Sequence, residues 1–513
     1  MSDSTPVPRV RLAPAPSGFL HVGSVRTALY NWLHARRHGG RFILRIEDTD
    51  VARASDASMH AMIAALRWIG LEWDEGPEVG GPYGPYRQSD RGPFYGAVIR
   101  RLLIAGVAYE DYASQEELAG YREAQRAAGR PPIVKGALRG TPRPGEETAP
   151  SIRVRTPVAG EILVDDLVRG EVRFDWANIG DFVVQRADGT ATYPLANTAD
   201  DIAQGMTLIC RGEDLLSVTP RQLLLYDELT RDGLIDAALA EAGLPPRDPR
   251  WRPPQAFAHL PLIVGEDRKP LSKRHGAVAV EEFAAQGYLP EVLLNYLALL
   301  GWSPGDGRER MRLDELIEAF DISAVGRTPA AFDPGKLTAF NGERIRELGG
   351  DELVDRLVPY LEGTYGEAFI SSPPGEAELG MLRRLVPLVQ ERMERLDEVQ
   401  RYAGFVFRRE IELDPRAVDK VLGTPEAVEA LEAAAEVLAS LGEWTTASIE
   451  RVLRALPERL GIGPRRAFQP IRVAVTGSTV SPPLFESLSL LPREWVLERI
   501  HAAIPIAEKA TQS

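Results

Sequence analysis

Residues 13–24, APAPSGFLHVGS, leave an apolar run through two prolines and a glycine and enter a helix-like stretch at His21-Val22-Gly23-Ser24. A strand that ends this way aims helix N–H groups and the positive end of the helix dipole at an anion. Gly23 removes the Cβ that would hold a backbone or a flat ring away, and His21 stands at the rim as a donor to phosphate oxygen. The stretch is neither a G-x-x-x-x-G-K-[ST] nor a G-x-G-x-x-G loop, and alone it also reads as a stiff turn with a surface histidine. A second segment, EDRKPLSKRHGAV (residues 266–278), gathers Lys269, Lys273, Arg274 and His275 beside Ser272. A loop lysine of this kind clamps polyphosphate and neutralises the charge that develops on a leaving pyrophosphate. Its plain reading is a solvated basic loop. Both segments on one framework, roughly 250 residues apart, are much harder to attribute to chance than either alone.

The elements that would position them follow from periodicity. RVRLA reads as a strand. Residues 24–38 read as a helix with Val25, Ala28, Leu29, Trp32 and Leu33 on one face, stopped by Arg36, Arg37 and the Gly39-Gly40 pair. RFILRI is a second strand running into EDTD, and residues 59–69 form a second amphipathic helix. This alternation predicts a parallel α/β sheet with ligands at the C-terminal ends of its strands, near a topological switch point. Residues 80–190 break the pattern. Glycine and proline cluster at 74–90, arginine joins them at 122–150, and SIRVRT and EILVDDLVRGEVRFD alternate at period two like antiparallel hairpins. MTLICRGEDLL resumes strand, loop and helix, AFAHLPLIV adds another strand, and beyond Gly287 helical periodicity dominates.

With 513 residues, 44% hydrophobic and 26% charged, the chain has the make-up of a globular protein of roughly three domains. Its one cysteine, Cys210, excludes an internal disulfide and a cysteine-based zinc site, reads as a small buried hydrophobe, and points to a reducing cytoplasm. The N-terminus lacks the apolar core of a signal peptide, and no apolar run approaches the ~18 residues of a membrane span. A net charge of −14 disfavours nucleic acid as a whole-surface property, but binding depends on local patches. Two exist: residues 121–145, and residues 383–409 with Arg383, Arg384, Arg392, Arg395, Arg401, Arg408 and Arg409. Each is also readable as a flexible loop or a solvated helix face.

APAPSGFLHVGS resembles the HIGH loop of class I aminoacyl-tRNA synthetases and PLSKR resembles their KMSKS loop. HVGSVRTALYNWLHARRHGGRFILRIEDTD, GPYGPYRQS, ATYPLANTADD, ICRGEDLLSVTPRQ and LSKRHGAV resemble glutamyl-tRNA synthetases in particular, as do FDPGKLTAFNGERIRE and VAVTGSTVSPPLFESLSLL. Order and spacing extend the likeness over nearly the whole chain. The resemblance implies a ligase that activates L-glutamate with ATP, with magnesium on the phosphates, and transfers it to the 3′-terminal adenosine of tRNA-Glu. It implies that Arg11 and Arg211 hold substrate carboxylates, that Glu47 pairs with the substrate ammonium, and that Tyr193 and Asn197 bond the amino acid. Ala13 and Ala15 belong to the same glutamate-binding set. His21, Gly23, Ser24, Asp214, Leu271, Ser272 and Lys273 are expected around ATP, with His21 and Lys273 as the catalytic pair. Arg383, Arg384 and Arg392 are candidates for tRNA contact, Arg392 for the last anticodon base. Each residue also has a structural reading: Glu47 and Asp48 as ion-pair partners, Asn197 as a helix cap, Tyr193 as a core aromatic.

The expected architecture is a Rossmann catalytic domain (1–80 and 191–250) split by an α+β acceptor-stem insertion (81–190). A stem-contact region with the KMSKS-like loop (251–335) and a mostly α-helical anticodon-binding region (336–513) follow. A cytoplasmic monomer is expected, with no membrane partner and no zinc. Three positions depart from the family pattern: Ala15 replaces a serine, Pro194 a histidine, and Pro270 the first lysine of the KMSKS consensus. The helical C-terminal half disfavours a glutaminyl-tRNA synthetase and a relative that glutamylates a modified base of tRNA-Asp. A non-discriminating enzyme that also charges tRNA-Gln, and a non-catalytic tRNA-binding paralogue, are the remaining alternatives.

Overall fold

The computed structural model describes residues 7–16, 18–49, 55–135, 149–254, 256–272, 274 and 276–511. They form two compact units, Met1–Glu282 with Leu293–Asp333, and Phe283–Val292 with Pro334–Ser513.

In the first unit, β1 (Arg9–Leu12) pairs in parallel with β2 (Arg41–Leu44), from Arg9 opposite Arg41 to Leu12 opposite Leu44. The connecting helix α1 (Val22–Arg37) buries Val25, Ala28, Leu29, Trp32 and Leu33, the face read from the sequence. It starts two residues earlier than periodicity predicts because His21 caps it, its Nδ1 accepting the Gly23 N–H at 3.1 Å. The stop needs both glycines: Gly39 has φ +62°, and a Cβ on Gly40 would lie 2.4 Å from the Pro8 carbonyl oxygen. Helix α2 (Asp56–Trp68) likewise begins early, at a Ser55 cap.

The stretch that breaks the alternation holds α3 (Gly92–Ile104), β3 (Ala108–Asp111), α4 (Gln115–Ala127) and β4 (Ser151–Val154). The hairpin of β5 (Glu161–Asp166) and β6 (Gly170–Asp175) follows, then β7 (Phe182–Gln185). SIRV, read as part of a hairpin, is instead the central strand of an antiparallel β3-β4-β7 sheet. Arg153 on it reaches the buried Asp111 carboxylate of β3, a pairing 42 residues apart that local alternation does not show.

Next come α5 (Tyr193–Ala203), β8 (Ile209–Gly212), α6 (Thr219–Thr230) and β9 (Phe257–Leu260). Strands β8 and β9 are parallel, and β5 joins β9 in parallel at Asp166 opposite Phe257, giving the order β6-β5-β9-β8. Phe257 to Leu260 are all buried, as a strand covered on both faces requires.

Among its described residues the second unit is built of helices joined by turns and loops, with no strand beyond an isolated bridge between Glu362 and Ala368. Helix Ala427–Ala439, the Ala/Glu-rich run, packs its buried Ala430, Leu431, Ala434 and Leu438 against helices Pro464–Thr476 and Arg493–Thr511. Small side chains on that face let the backbones approach closely. Among the described residues no helix is long and apolar enough to cross a membrane.

Candidate active site

A cavity of about 340 Å³ opens at the C-terminal ends of β1, β8 and β9 and the N-terminal ends of α1 and α5. Arg11 enters it from β1 and Ala13 from just beyond its end, His21, Gly23 and Ser24 from the cap and first turn of α1, Tyr193 and Asn197 from α5, Arg211 from β8 and Asp214 from the turn that follows β8. Cys210 lies in its wall, fully buried, with the thiol pushed up to about 12 by desolvation, so it packs as the small hydrophobe expected.

Three buried guanidinium groups line the cavity: Arg26, whose terminal nitrogens donate to the Leu300 and Pro261 carbonyls, and Arg11 and Arg211. Arg11 is clamped by Asp201 of α5, Nε to Oδ1 at 3.0 Å and Nη2 to Oδ2 at 3.1 Å, and Nη2 also donates to Asn197 Oδ1 at 3.3 Å. Burial opposes the Asp201 charge, yet Arg11 and Arg45 outweigh it and hold the carboxyl below the ordinary aspartate value. Arg211 is different. Its Nε donates to His259 Nε2 at 3.1 Å, Nη1 to the Tyr193 hydroxyl at 3.1 Å, and Nη2 to Thr219 Oγ1 at 2.9 Å. All these acceptors are neutral groups, and among the described residues no carboxylate pairs with Arg211. A guanidinium only 4% exposed and lacking a counter-charge calls for an anionic ligand.

Asn197 is not a helix cap, since Thr192 holds that position of α5. It is a hub: Nδ2 donates to Glu47 Oε1 at 2.6 Å, while Oδ1 accepts from Gln222 at 2.8 Å. Glu47 stands behind the cavity wall, also bonded to Arg45 Nη2 at 3.1 Å, and burial raises its pKa. Its neighbour Asp48 has the structural reading, accepting from the Ser89 main chain and hydroxyl at 2.8 Å each and from Arg87. Tyr193 is half-buried at the rim with its hydroxyl on Arg211 rather than in the core.

On the α1 side, the Val22 N–H donates to the Val278 carbonyl at 2.9 Å and the Val280 N–H to the Leu20 carbonyl at 3.1 Å. These bonds, with the His21–Ala279 bridge, join the HIGH-like loop to the chain following the KMSKS-like one. The His21 ring also bonds the Leu271 carbonyl, while burial lowers its pKa and Glu282 opposes that shift. A Cβ on Gly23 would lie 3.3 Å from His21 Nδ1, so glycine permits the cap bond. The Val22 and Gly23 N–H groups are engaged, and Ser24, the next residue of α1, lines the cavity. Leu271 is buried, its N–H bonded to the Ile263 carbonyl at 3.0 Å, and Ser272 beside it is partly exposed. Lys273 and His275 lie outside the described residues. Ala15 is exposed and does not line the cavity.

The second unit carries the basic stretch 383–409, most of which has partners. Arg383 meets Glu376 at 3.1 Å, Arg408 meets Glu367 at 2.5 Å and Arg409 meets Glu498 at 2.5 Å. Arg384 donates to the Ser489 carbonyl at 3.2 Å and Arg392 to the Ser481 carbonyl at 3.0 Å. Of the 121–145 patch, residues 136–145 lie outside the described residues.

Asp201, Arg45, Gln222, Asp166 and His259 shape the site without having been singled out in the sequence. Asp201 follows Asn197 by four positions on α5, so helical spacing puts both on one face and could have revealed it. The pair Asp166 and His259, 93 residues apart on β5 and β9, leaves no such local signal.

The family described as tRNA synthetases class I (E and Q), catalytic domain, matches residues 8–234 and 250–339, and an anticodon-binding domain matches residues 352–504. The strand-end cavity and the helical second unit are therefore those of a class I tRNA synthetase. A glutamate–tRNA ligase of Saccharopolyspora erythraea is 44% identical over 97% of this chain and 96% of its own, and glutamate–tRNA ligase 2 of Rubrobacter xylanophilus is 43% identical over 96% of each. The crystal structure of a glutamate tRNA ligase from Elizabethkingia meningosepticum, in complex with its amino acid, superposes with a TM-score of 0.75 at 30% identity, covering 97% of this chain and 99% of that one. The chain belongs to the glutamate–tRNA ligase family.

Proposed function

We propose that this enzyme activates L-glutamate with ATP to glutamyl adenylate, releasing pyrophosphate, and transfers glutamate to the 3′-terminal adenosine of tRNA-Glu. The observation that carries the reading is Arg211, a buried cation with only neutral partners, in the same cavity as Arg11. A dicarboxylic amino acid supplies two anions to two guanidinium groups, a task suited to their fixed donor geometry. Tyr193 and Asn197 add hydrogen bonds to the amino acid, Ala13 leaves it room, and Glu47 balances its ammonium group from behind Asn197. Ala15 is assigned to the loop that bounds the site.

His21, Gly23 and Ser24 face the phosphates at the N-terminus of α1, with Asp214 toward the nucleoside. Leu271, Ser272 and Lys273 bring the second loop to them. Magnesium enters as part of the substrate, on the ATP phosphates. In activation a glutamate carboxylate oxygen attacks the α-phosphorus and the bond to pyrophosphate breaks, with the new negative charge met by His21 and Lys273. In transfer a terminal ribose hydroxyl attacks the activated carbonyl and AMP leaves. Arg383, Arg384 and Arg392 would contact tRNA from the second unit. The domain division proposed is a catalytic domain at 1–80 and 191–250, an acceptor-stem insertion at 81–190, a stem-contact region at 251–335 and an anticodon-binding region at 336–513. Incubation of the purified enzyme with ATP, labelled glutamate and tRNA-Glu tests the reading: glutamyl-tRNA is expected, and its absence with active tRNA overturns it.

A further inference from the structure

We propose that His259, held by Asp166 as its Nδ1–H tautomer, is a positioning residue for glutamate binding, its bare Nε2 fixing the orientation of Arg211. The inference rests on the reading of Arg211 as a holder of a glutamate carboxylate. Both ends of the relay determine the tautomer independently. Asp166 accepts the main-chain N–H groups of Val168 at 2.9 Å, Arg169 at 2.7 Å and His259 at 3.1 Å, which leaves its carboxylate ionised and without a proton to give. The 2.6 Å contact between His259 Nδ1 and Asp166 Oδ2 therefore has the ring as donor. At the other end an arginine Nε can only donate, so His259 Nε2, 3.1 Å away, can only accept.

The arrangement gives orientation without neutralisation. An aspartate directly against Arg211 would hold it equally well but would form an ion pair and weaken its pull on a substrate anion. With a neutral imidazole between them, the carboxylate stays one ring away. Thr219 completes the rear support, its hydroxyl 2.9 Å from Nη2 and 3.1 Å from His259 Nε2. The third nitrogen, Nη1, is left toward Tyr193 and the cavity. The ring itself is fully buried and stacks on Phe257 at 6.0 Å between centroids, so it cannot rotate freely.

The charged groups around the ring are Asp166 on β5, Arg169 just beyond it, and Arg211 on β8; α6 contributes only the neutral Thr219. Arg169 is itself paired with Glu213. Burial is the leading influence on the ring, and together with the two arginines it outweighs Asp166 and keeps His259 below the ordinary histidine value. A proton forced onto Nε2 would set an N–H against the Arg211 N–H and break the support.

The test is the steady-state aminoacylation kinetics of His259→Asn, His259→Gln, Asp166→Asn and Arg211→Lys, with thermal unfolding of each. His259→Asn keeps a donor for Asp166 but presents nothing at the Nε2 position, and is expected to raise the KM for glutamate about tenfold, as loss of one bond to a charged group implies, with the KM for ATP within about twofold. His259→Gln, whose amide oxygen reaches the Nε2 position, is expected to recover most of that loss, which a purely structural role would not predict. Asp166→Asn reads the relay from its other end and, by offering an N–H to Nδ1, is expected to raise the glutamate KM as well. An unchanged glutamate KM in His259→Asn or Asp166→Asn, while Arg211→Lys raises it, overturns the proposal. An unchanged glutamate KM in Arg211→Lys locates the failure in the assignment of Arg211 itself.

Discussion

Asp201 meets Arg11 side-on through two bonds, Oδ1 to Nε at 3.0 Å and Oδ2 to Nη2 at 3.1 Å, with both side chains almost wholly out of water. Asp201 Oδ1 is also 2.7 Å from Arg45 Nη1, and the Tyr226 hydroxyl donates to Oδ2 at 3.1 Å. One carboxylate thus holds two buried cations, and Arg11 faces the cavity already oriented.

Replacing Asp201 with Asn removes the charge but keeps the shape, leaving Arg11 and Arg45 undercompensated. A loss of about 3–5 kcal/mol is expected from breaking a buried pair on one side. Urea unfolding of the variant beside the parent measures it, and a change under about 1 kcal/mol would count against the role assigned.

The same carboxylate predicts an acid response. Its folded pKa lies below the ordinary value of 3.8, so its contribution is complete above that value and is lost as pH falls through the folded pKa. Stability of the parent should therefore decline below about pH 4 more steeply than that of Asp201→Asn, which has no proton to take up there. Parallel acid profiles of the two proteins would contradict the assignment.

Gly23→Ala should act on ATP rather than glutamate. The added methyl would lie 3.3 Å from His21 Nδ1 and strain the cap bond of α1. A several-fold rise in the KM for ATP is expected, with a stability cost of about 1 kcal/mol, the usual value of an N-cap. Kinetics at saturating glutamate read it; a change confined to the glutamate KM would be the wrong pattern.

Charge reversal of Arg383 and Arg384 should weaken tRNA binding and flatten its dependence on salt, because each lost phosphate contact lowers the slope by about 0.7–0.9. Arg383 already shares its charge with Glu376 and Asp351, so Arg384 is expected to account for more of the effect. Filter binding over a salt series decides it, and an unchanged affinity and slope would exclude the pair from the interface.

Charging of purified tRNA-Glu and tRNA-Gln side by side tests discrimination. Preference for tRNA-Glu is expected, reduced in Arg392→Ala. Equal charging by the parent would remove the case for Arg392, which is held by the Ser481 carbonyl at 3.0 Å.

The parts of the site that were legible in the sequence are those with local order. The 3.6-residue apolar face of α1, its double-glycine stop and the turn into His21 all follow from short-range sterics and capping. The carboxylates that orient the guanidinium groups differ in this respect. Asp201 is within reach of helical spacing, four positions after Asn197 on α5, whereas Asp166 lies in a hairpin whose local pattern says nothing of its partner. The hairpin shares a sheet with β9, which carries His259, through one parallel register pair at Asp166 and Phe257. Pairing between distant strands is decided by tertiary packing, and single-strand alternation does not carry it.

ATP–pyrophosphate exchange measured with glutamate and tRNA present tests glutamate activation most directly. Glutamate-dependent exchange is expected, and it should fall sharply in Arg211→Lys. No exchange from a folded protein that still binds tRNA would contradict it and point to a non-catalytic tRNA-binding role.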